Sequence, residues 1–275
     1  RGGINSSELG EARRRIVGPA YKTAALPLSY GGVGLVYHNG PAGRSSERAI
    51  LYCLMDGGLP EMKSDGRQER FVVAIAGGSG SGKTTFARKM IDASRKLGIE
   101  GRLFSLDNYY KPLRGVPFER RKAFNFDHPD AIDFTLAVSH LKTLLGGKPV
   151  RQPVYNFAAH TRSSQTRLLK PAPLLVVEGL YALYPPKLTA LCDYRIFVST
   201  GIATAVLRRV SRDVQERGRS IQDSKHQILS TVLPMYEDFV KPTQRNAHFS
   251  INWEGEEIPE KAAEGLGRML RDHFR

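Results

Sequence analysis

An unbroken apolar run, Phe71-Val72-Val73-Ala74-Ile75-Ala76, leads directly into Gly77-Gly78-Ser79-Gly80-Ser81-Gly82-Lys83-Thr84-Thr85, and an amphipathic stretch from Thr84 to Leu97 follows. Six apolar residues without polar alternation describe a strand buried on both faces, the kind found in a parallel sheet covered by helices. The turn fits G-x-x-x-x-G-K-[ST] in the strand-loop-helix setting which that motif requires. Glycines at 77, 80 and 82 let the backbone point its N–H groups at anionic oxygens, and the helix beginning near Lys83 adds its positive dipole end. Residues 77 to 85 are therefore the expected contacts of ATP or GTP, with Lys83 reaching the β- and γ-phosphates and the Thr84 hydroxyl placed on Mg²⁺. A glycine-rich turn with no ligand is the alternative, and the match at every motif position weighs against it.

The same alternation continues. Arg102 to Leu106, Leu174 to Val177 and Tyr194 to Val198 read as strands, and Thr204 to Glu216 and Lys261 to Phe274 as helices. The expected class is α/β, a parallel sheet flanked by helices. Residues 1–61 read differently: they hold 11 of the 27 glycines and show no sustained period. A targeting peptide around Arg13 to Arg15 is disfavoured by Glu8 and Glu11, and the tail of an upstream domain is a second reading. The preferred one takes 1–61 as an extension and 62–275 as the domain, with Met62 as its natural start.

A formal charge of +14 raises the question of nucleic-acid binding. Its distribution answers otherwise, because the densest basic group, Arg208, Arg209, Arg212, Arg217 and Arg219, falls at helical spacing, where the phosphates of a small nucleotide explain it equally well. Cys53 and Cys192 are too few and too far apart for a disulfide framework, which suits a reducing cytoplasm. No apolar run approaches the roughly 20 residues that span a bilayer. The expectation is thus a cytoplasmic chain with a small-molecule substrate, no nucleic-acid partner and no membrane.

A phosphate-binding loop does not name the acceptor. Asp107 ends a strand at the edge where open α/β sheets bind ligands, and a carboxylate there can take the proton of an attacking hydroxyl. Glu178 ends Leu174-Leu175-Val176-Val177 and is a candidate to help Thr84 hold the metal. Four segments go further: Ser105-Leu106-Asp107-Asn108-Tyr109-Tyr110-Lys111; Asn125-Phe126-Asp127-His128-Pro129-Asp130-Ala131; Pro153-Val154-Tyr155-Asn156-Phe157 with His160 and Arg162; and Arg209-Val210-Ser211-Arg212-Asp213 with Glu216-Arg217-Gly218-Arg219. With the phosphate loop, and in this order from about Phe71 to Ala247, they resemble the uridine/cytidine kinase family of the P-loop NTPase superfamily.

That resemblance implies a P-loop sheet with an Arg-rich lid and a small acceptor-binding insertion. It implies Asp107 as catalytic base, Lys83, Arg212 and Arg217 on the phosphates, and Glu178 on the metal side. By the same resemblance Asp127 grips the ribose hydroxyls, Tyr155, Phe157 and His160 surround the base, and Arg209, Arg219 and Gln227 complete the nucleoside contacts. The implied activity is ATP-dependent phosphorylation of the 5′-hydroxyl of uridine or cytidine, a step of pyrimidine salvage. The implied assembly is a homo-oligomer such as a homotetramer, restrained by UTP and CTP. Each residue alone has a duller reading, such as a core aromatic, a structural histidine or a solvated basic face, and that last reading is accepted for Arg208.

Three departures stand out. Asn156 occupies a position where Asp is usual, which bears on base preference. Asn246-Ala247-His248 replaces Tyr-Ala-Asp, and Trp253-Glu254-Gly255-Glu256-Glu257 replaces a glycine-containing turn; both are expected at the adenine end of the site. The nearest rivals are a kinase akin to phosphoribulokinase or pantothenate kinase and, in another class, a basic nucleic-acid-binding regulator that hydrolyses ATP slowly.

Overall fold

The computed structural model describes residues 35–38, 70–252, 265–268, 270, 271 and 274. Among them eight strands occur: β1 (Leu35–His38), β2 (Phe71–Ala76), β3 (Gly101–Ser105), β4 (Val150–Asn156), β5 (Thr161–Leu169), β6 (Leu174–Glu178), β7 (Tyr194–Ser199) and β8 (Phe249–Asn252). Six form one sheet in the order β1-β8-β7-β2-β6-β3, every neighbouring pair parallel. β4 and β5 stand apart as an antiparallel hairpin. The main helices are α1 (Lys83–Lys96), α2 (Phe118–Lys122), α3 (Phe134–Leu145), α4 (Pro186–Thr189), α5 (Ile202–Arg217) and α6 (Ile221–Gln227).

Residue alternation on the central strand builds two cores. Val72, Ala74 and Ala76 face one side with Leu141 and Leu144 of α3 and with Tyr181. Phe71, Val73 and Ile75 face the other with Phe86 and Met90 of α1 and with Leu266 and Leu270. Both faces of β2 are thus covered, which is why its sequence runs apolar without a break. Burying each such Phe or Leu contributes about 1.5–3 kcal/mol.

Helix ends follow local chemistry. Asp133 caps α3 by accepting from the Leu136 N–H, and Ser220 caps α6 through Asp223 N. α5 ends on Gly218 in the left-handed region, which reverses the chain and sets Arg217 and Arg219 on either side of the turn.

The strand order reverses direction at β2: β6 and β3 lie on one side, β7 and β8 on the other. In an open parallel sheet that switch point opens a crevice beyond the carboxyl ends of the strands. The expected strands and helices appear with ends shifted by a residue or two, and residues 265–268, 270 and 271, within the expected last helix, are helical. β1 was not anticipated; it comes from the segment read as an extension and pairs with β8 from Leu35↔Phe249 to His38↔Asn252. Trp253 to Glu257 lie outside the described residues. No helix among the described residues is long and apolar enough to cross a membrane.

Candidate active site

The loop after β2 is pressed from two sides. A Cβ on Gly77 would meet the Val198 carbonyl oxygen at 2.1 Å, and one on Gly80, whose φ is +79°, would meet that of Ala205 at 2.3 Å. The end of β7 and the first turns of α5 therefore pack on bare backbone, a closeness that only glycine permits. Lys83 opens α1 and is buried, with Nζ 3.4 Å from the Gly78 carbonyl oxygen. Burial lowers its pKa, against the opposing pull of Glu178 and Asp107.

Glu178, at the end of β6 beside β2, is buried and held at both oxygens: Thr84 Oγ1 donates to Oε2 at 2.9 Å, and Ser105 Oγ to Oε1 at 2.5 Å. Burial raises its pKa, nearby Asp107 raises it further, and Lys83 opposes both. Asp107 sits in a single 3₁₀ turn, Leu106–Tyr109, directly beyond β3. Hydroxyl and carboxylate oxygens at this corner suit a hard cation such as Mg²⁺, which takes one or two protein carboxylates and completes its shell with phosphate and water. Among the described residues no cluster of three or more His, Cys, Asp or Glu forms a dedicated metal cage.

A cleft of about 520 Å³, counting space open at its mouth, joins the loop to the second half of the site; Ser79, Lys83 and Asp107 line one end. At the other end lies an aromatic box. Tyr155 and Phe157 have ring centroids 5.0 Å apart, Tyr110 lies 5.1 Å from Tyr155, and Phe126 stacks on His160 at 5.4 Å with planes 17° apart. The β4–β5 hairpin supplies three of these residues. Its tip turns sharply, with His160 at φ +50°, and Asn156 Oδ1 accepts from Ala159 N at 2.9 Å to cap that turn. Asn156 is exposed and engaged with backbone, which makes it a turn residue rather than part of the aromatic box. Burial, and then Arg219, Arg121 and Arg217, lower the His160 pKa and keep the ring neutral. The buried Tyr155 hydroxyl has no hydrogen-bond partner among the described residues.

Asp127 is buried between these ends. Its Oδ1 is 3.4 Å from Arg209 Nη1, its Oδ2 is 3.2 Å from Thr231 Oγ1, and its carbonyl accepts from the Tyr181 hydroxyl. Two wide π-helical turns, Ile228–Val232 and Tyr236–Val240, follow α6, and the first aims Thr231 at Asp127. Gln227 offers Oε1 to Arg209 at 3.3 Å and to Arg219. Arg212 donates to Ser79 Oγ at 3.0 Å, and Arg217 lies 4.5 Å from the centre of the Phe157 ring.

Every residue expected to act on the acceptor or the phosphates except Ser81, Thr84, Thr85 and the loop glycines lines this cleft or, like Glu178, borders it through Thr84 and Ser105. Thr85 is exposed on α1. Arg217 leans on the aromatic box rather than on the loop, and Arg208, read as a solvated cation, is half-buried. One expectation is corrected. Asn246, Ala247 and His248 precede β8, at the amino edge of the sheet, where Arg195 donates to the Asn246 carbonyl at 2.7 Å and lies 2.6 Å from His248 Nε2. Because the loop lies beyond the carboxyl ends, this triplet is a structural joint and not the adenine end. Sequence reasoning missed Tyr110, Phe126, Ser105, Asp213 and Thr231 as site residues. The first four stood inside the motifs already quoted, and Thr231 had no signal, because a π-helical turn decides its direction.

The family model described as Phosphoribulokinase / Uridine kinase family matches residues 72–257. A uridine kinase of Halobacterium salinarum is 41% identical over 181 residues, covering 66% of this chain and 79% of that one. A uridine kinase of Deinococcus deserti is 40% identical over 206 residues, covering 75% and 98%. Among solved structures, a D-glycerate 3-kinase of Cryptococcus neoformans aligns with a TM-score of 0.52 at 14% identity, covering 74% of this chain and 90% of that one, a likeness of fold. With its phosphate loop at the sheet's switch point and these relatives across most of its length, the chain is a kinase and belongs to the phosphoribulokinase / uridine kinase family.

Proposed function

We propose that this kinase transfers the γ-phosphoryl group of ATP to the 5′-hydroxyl of uridine, and of cytidine, giving the nucleoside monophosphate. The observation that carries the reading is the single cleft that sets Lys83, Ser79 and Asp107 against Asp127 and a five-ring aromatic box. Such a box takes one flat six-membered ring, and a buried carboxylate beside it takes the vicinal hydroxyls of a ribose. A sugar phosphate or pantothenate offers no ring to those faces. The roughly 40% identity to uridine kinases supports the same acceptor.

The mechanism is in-line displacement. Asp107 accepts the proton of the 5′-hydroxyl as its oxygen attacks the γ-phosphorus, and the bond to the β-phosphate oxygen breaks, leaving ADP. Lys83 and the backbone N–H groups from Gly77 to Thr85 hold the β- and γ-phosphates. Arg212 and Arg217 stabilise the charge spread over the transferring group. Thr84 and Glu178 would hold Mg²⁺, which supplies further neutralisation of phosphate charge when bound. Arg209 fixes Asp127, Gln227 braces Arg209 and Arg219, and the three close the acceptor side. His160, neutral, and the Tyr155 hydroxyl give the pyrimidine edge its polar partners. The Arg-rich end of α5 excludes water, without which ATP would be hydrolysed.

The homo-oligomer, with a homotetramer as its expected form, rests on the family resemblance and the cytoplasmic location on the two separated cysteines; sedimentation tests the former. ADP release, measured with ATP alone and then with uridine, cytidine, ribulose 5-phosphate, pantothenate or RNA, tests the reaction. Stimulation by uridine and cytidine is expected. Stimulation confined to another acceptor overturns the assignment.

A further inference from the structure

Asp213, on α5, is fully buried, and four arginines converge on it. Arg217 Nη1 lies 3.2 Å and Arg212 Nε 4.0 Å from Oδ1, while Arg219 Nη1 lies 3.3 Å and Arg209 Nε 3.4 Å from Oδ2. Arg217 and Arg219 each donate a hydrogen bond to the carboxylate, one to each oxygen, while the Nε atoms of Arg209 and Arg212 stand within ion-pair range without hydrogen-bonding to it. Four guanidinium groups around one point repel each other, and a buried anion at the centre offsets that repulsion. The turn at Gly218 serves this geometry: Arg219 N donates to the Asp213 carbonyl at 3.0 Å, which brings residues 217 and 219 back onto the same side chain.

The four arginines have different second ties. Arg209 also bonds Asp127 and Gln227, and Arg219 also bonds Gln227, so both belong to the acceptor end. Arg212 reaches Ser79 of the phosphate loop and is the most exposed of the four, at 31%, with the longest distance to Asp213. Arg217 has the face of Phe157 instead of a second anion. We propose that Asp213 is a positioning residue that ties the acceptor-side arginines and the phosphate-side Arg212 into one unit, holding Arg209 and Arg219 in place while yielding Arg212 to phosphate oxygens. The proposal rests on the kinase reading of the cleft and adds to it how the arginines are shared between the two subsites.

A competitor for arginines and a mere core residue behave differently when changed. Asp213→Asn keeps the shape and removes the charge that phosphate must displace. Inorganic tripolyphosphate, titrated calorimetrically, should then bind as tightly as to the unaltered protein or several-fold more tightly. Over the same substitution kcat should fall at least tenfold and KM for uridine should rise, because the guanidinium groups are no longer aimed. Parallel loss of tripolyphosphate affinity and kcat overturns the proposal, as does unchanged turnover. If Asp213→Asn does not fold, the unaltered protein decides. In ¹⁵N-arginine NMR, with resonances assigned by single Arg→Lys substitutions, tripolyphosphate should shift the signal of Arg212 and leave those of Arg209 and Arg219 in place. A uniform response, or none, overturns the proposal. Lack of uridine-stimulated ADP release in the unaltered protein would overturn the acceptor assignment alone, since the tripolyphosphate measurement requires no acceptor.

Discussion

In the proposed reaction Asp107 and His160 bear two chemical tasks, proton removal and base recognition, and each can be removed separately. Loss of a positioned general base costs about 10²- to 10⁴-fold, so Asp107→Asn should collapse kcat while ATP binding, measured by calorimetry, stays close to that of the parent. Near-normal turnover would remove Asp107 from the mechanism. His160→Ala takes a polar partner from the pyrimidine edge, a loss of about 1–3 kcal/mol, and should raise KM for uridine and cytidine with KM for ATP little changed. Tyr155→Phe isolates a hydroxyl that has no hydrogen-bond partner among the described residues. If both variants bind uridine as the parent does, the base lies elsewhere. These residues were legible because the chemistry demands their types at strand ends and in turns. Asp213 stands in the Arg-rich motif with no legible role, because a carboxylate among arginines looks in sequence like an ordinary i,i+4 pair; its burial and its four partners exist only in three dimensions.

Elements set how tightly the site is held, and α5 packs directly on the backbone of the phosphate loop. Gly80→Ala brings a Cβ within 2.3 Å of the Ala205 carbonyl and also strains a residue at φ +79°. Backbone strain of this kind costs about 1–3 kcal/mol, and the clash lifts α5, with its arginines, from the loop. KM for ATP should rise and the melting temperature should fall by roughly 2–10 °C. Gly98→Ala provides the control: φ is +84° but nothing lies within 4 Å of the added carbon, so it should lower stability with little effect on KM. Equal kinetic effects in both variants would exclude the clash as the cause. β2 was legible because both its faces are buried. β5, Thr161–Leu169, was not, since most of its residues are half-buried or exposed and it shows no period of two. The π-helical turns after α6 were equally silent, because hydrophobic period does not distinguish a widened turn from a regular one.

At the scale of the whole molecule, the carboxyl edge of the sheet carries the proposed chemistry and the amino edge a structural joint. His248, beside Arg195 at the amino edge, has its pKa lowered by burial and then by Arg195 to about 4 from an ordinary 6.5. A ring that accepts from a guanidinium must be neutral, so as pH falls the unfolded chain binds this proton first. The contribution is present above pH 6.5 and is lost progressively toward pH 4. Denaturation midpoints should fall over that window, and less steeply in His248→Gln; an identical slope would place the titration elsewhere. The last test concerns β1, the part of the sheet that sequence patterning did not reveal because four residues in a glycine-rich stretch carry too little period. Every residue placed in the cleft lies at or beyond Ser79, and β1 pairs with β8 alone, at the far side of β7 from the phosphate loop. A chain beginning at Met62 should therefore phosphorylate uridine with unchanged kcat. It should also melt at lower temperature and aggregate more readily, because the β8 edge then presents unpaired N–H and C=O groups to other chains. Activity assays and light scattering during a thermal ramp, run on both lengths, separate the two effects. A truncated chain that folds but has lost turnover would show that residues before Met62 reach the chemistry, and one with unaltered melting and solubility would show that β1 adds nothing to the sheet.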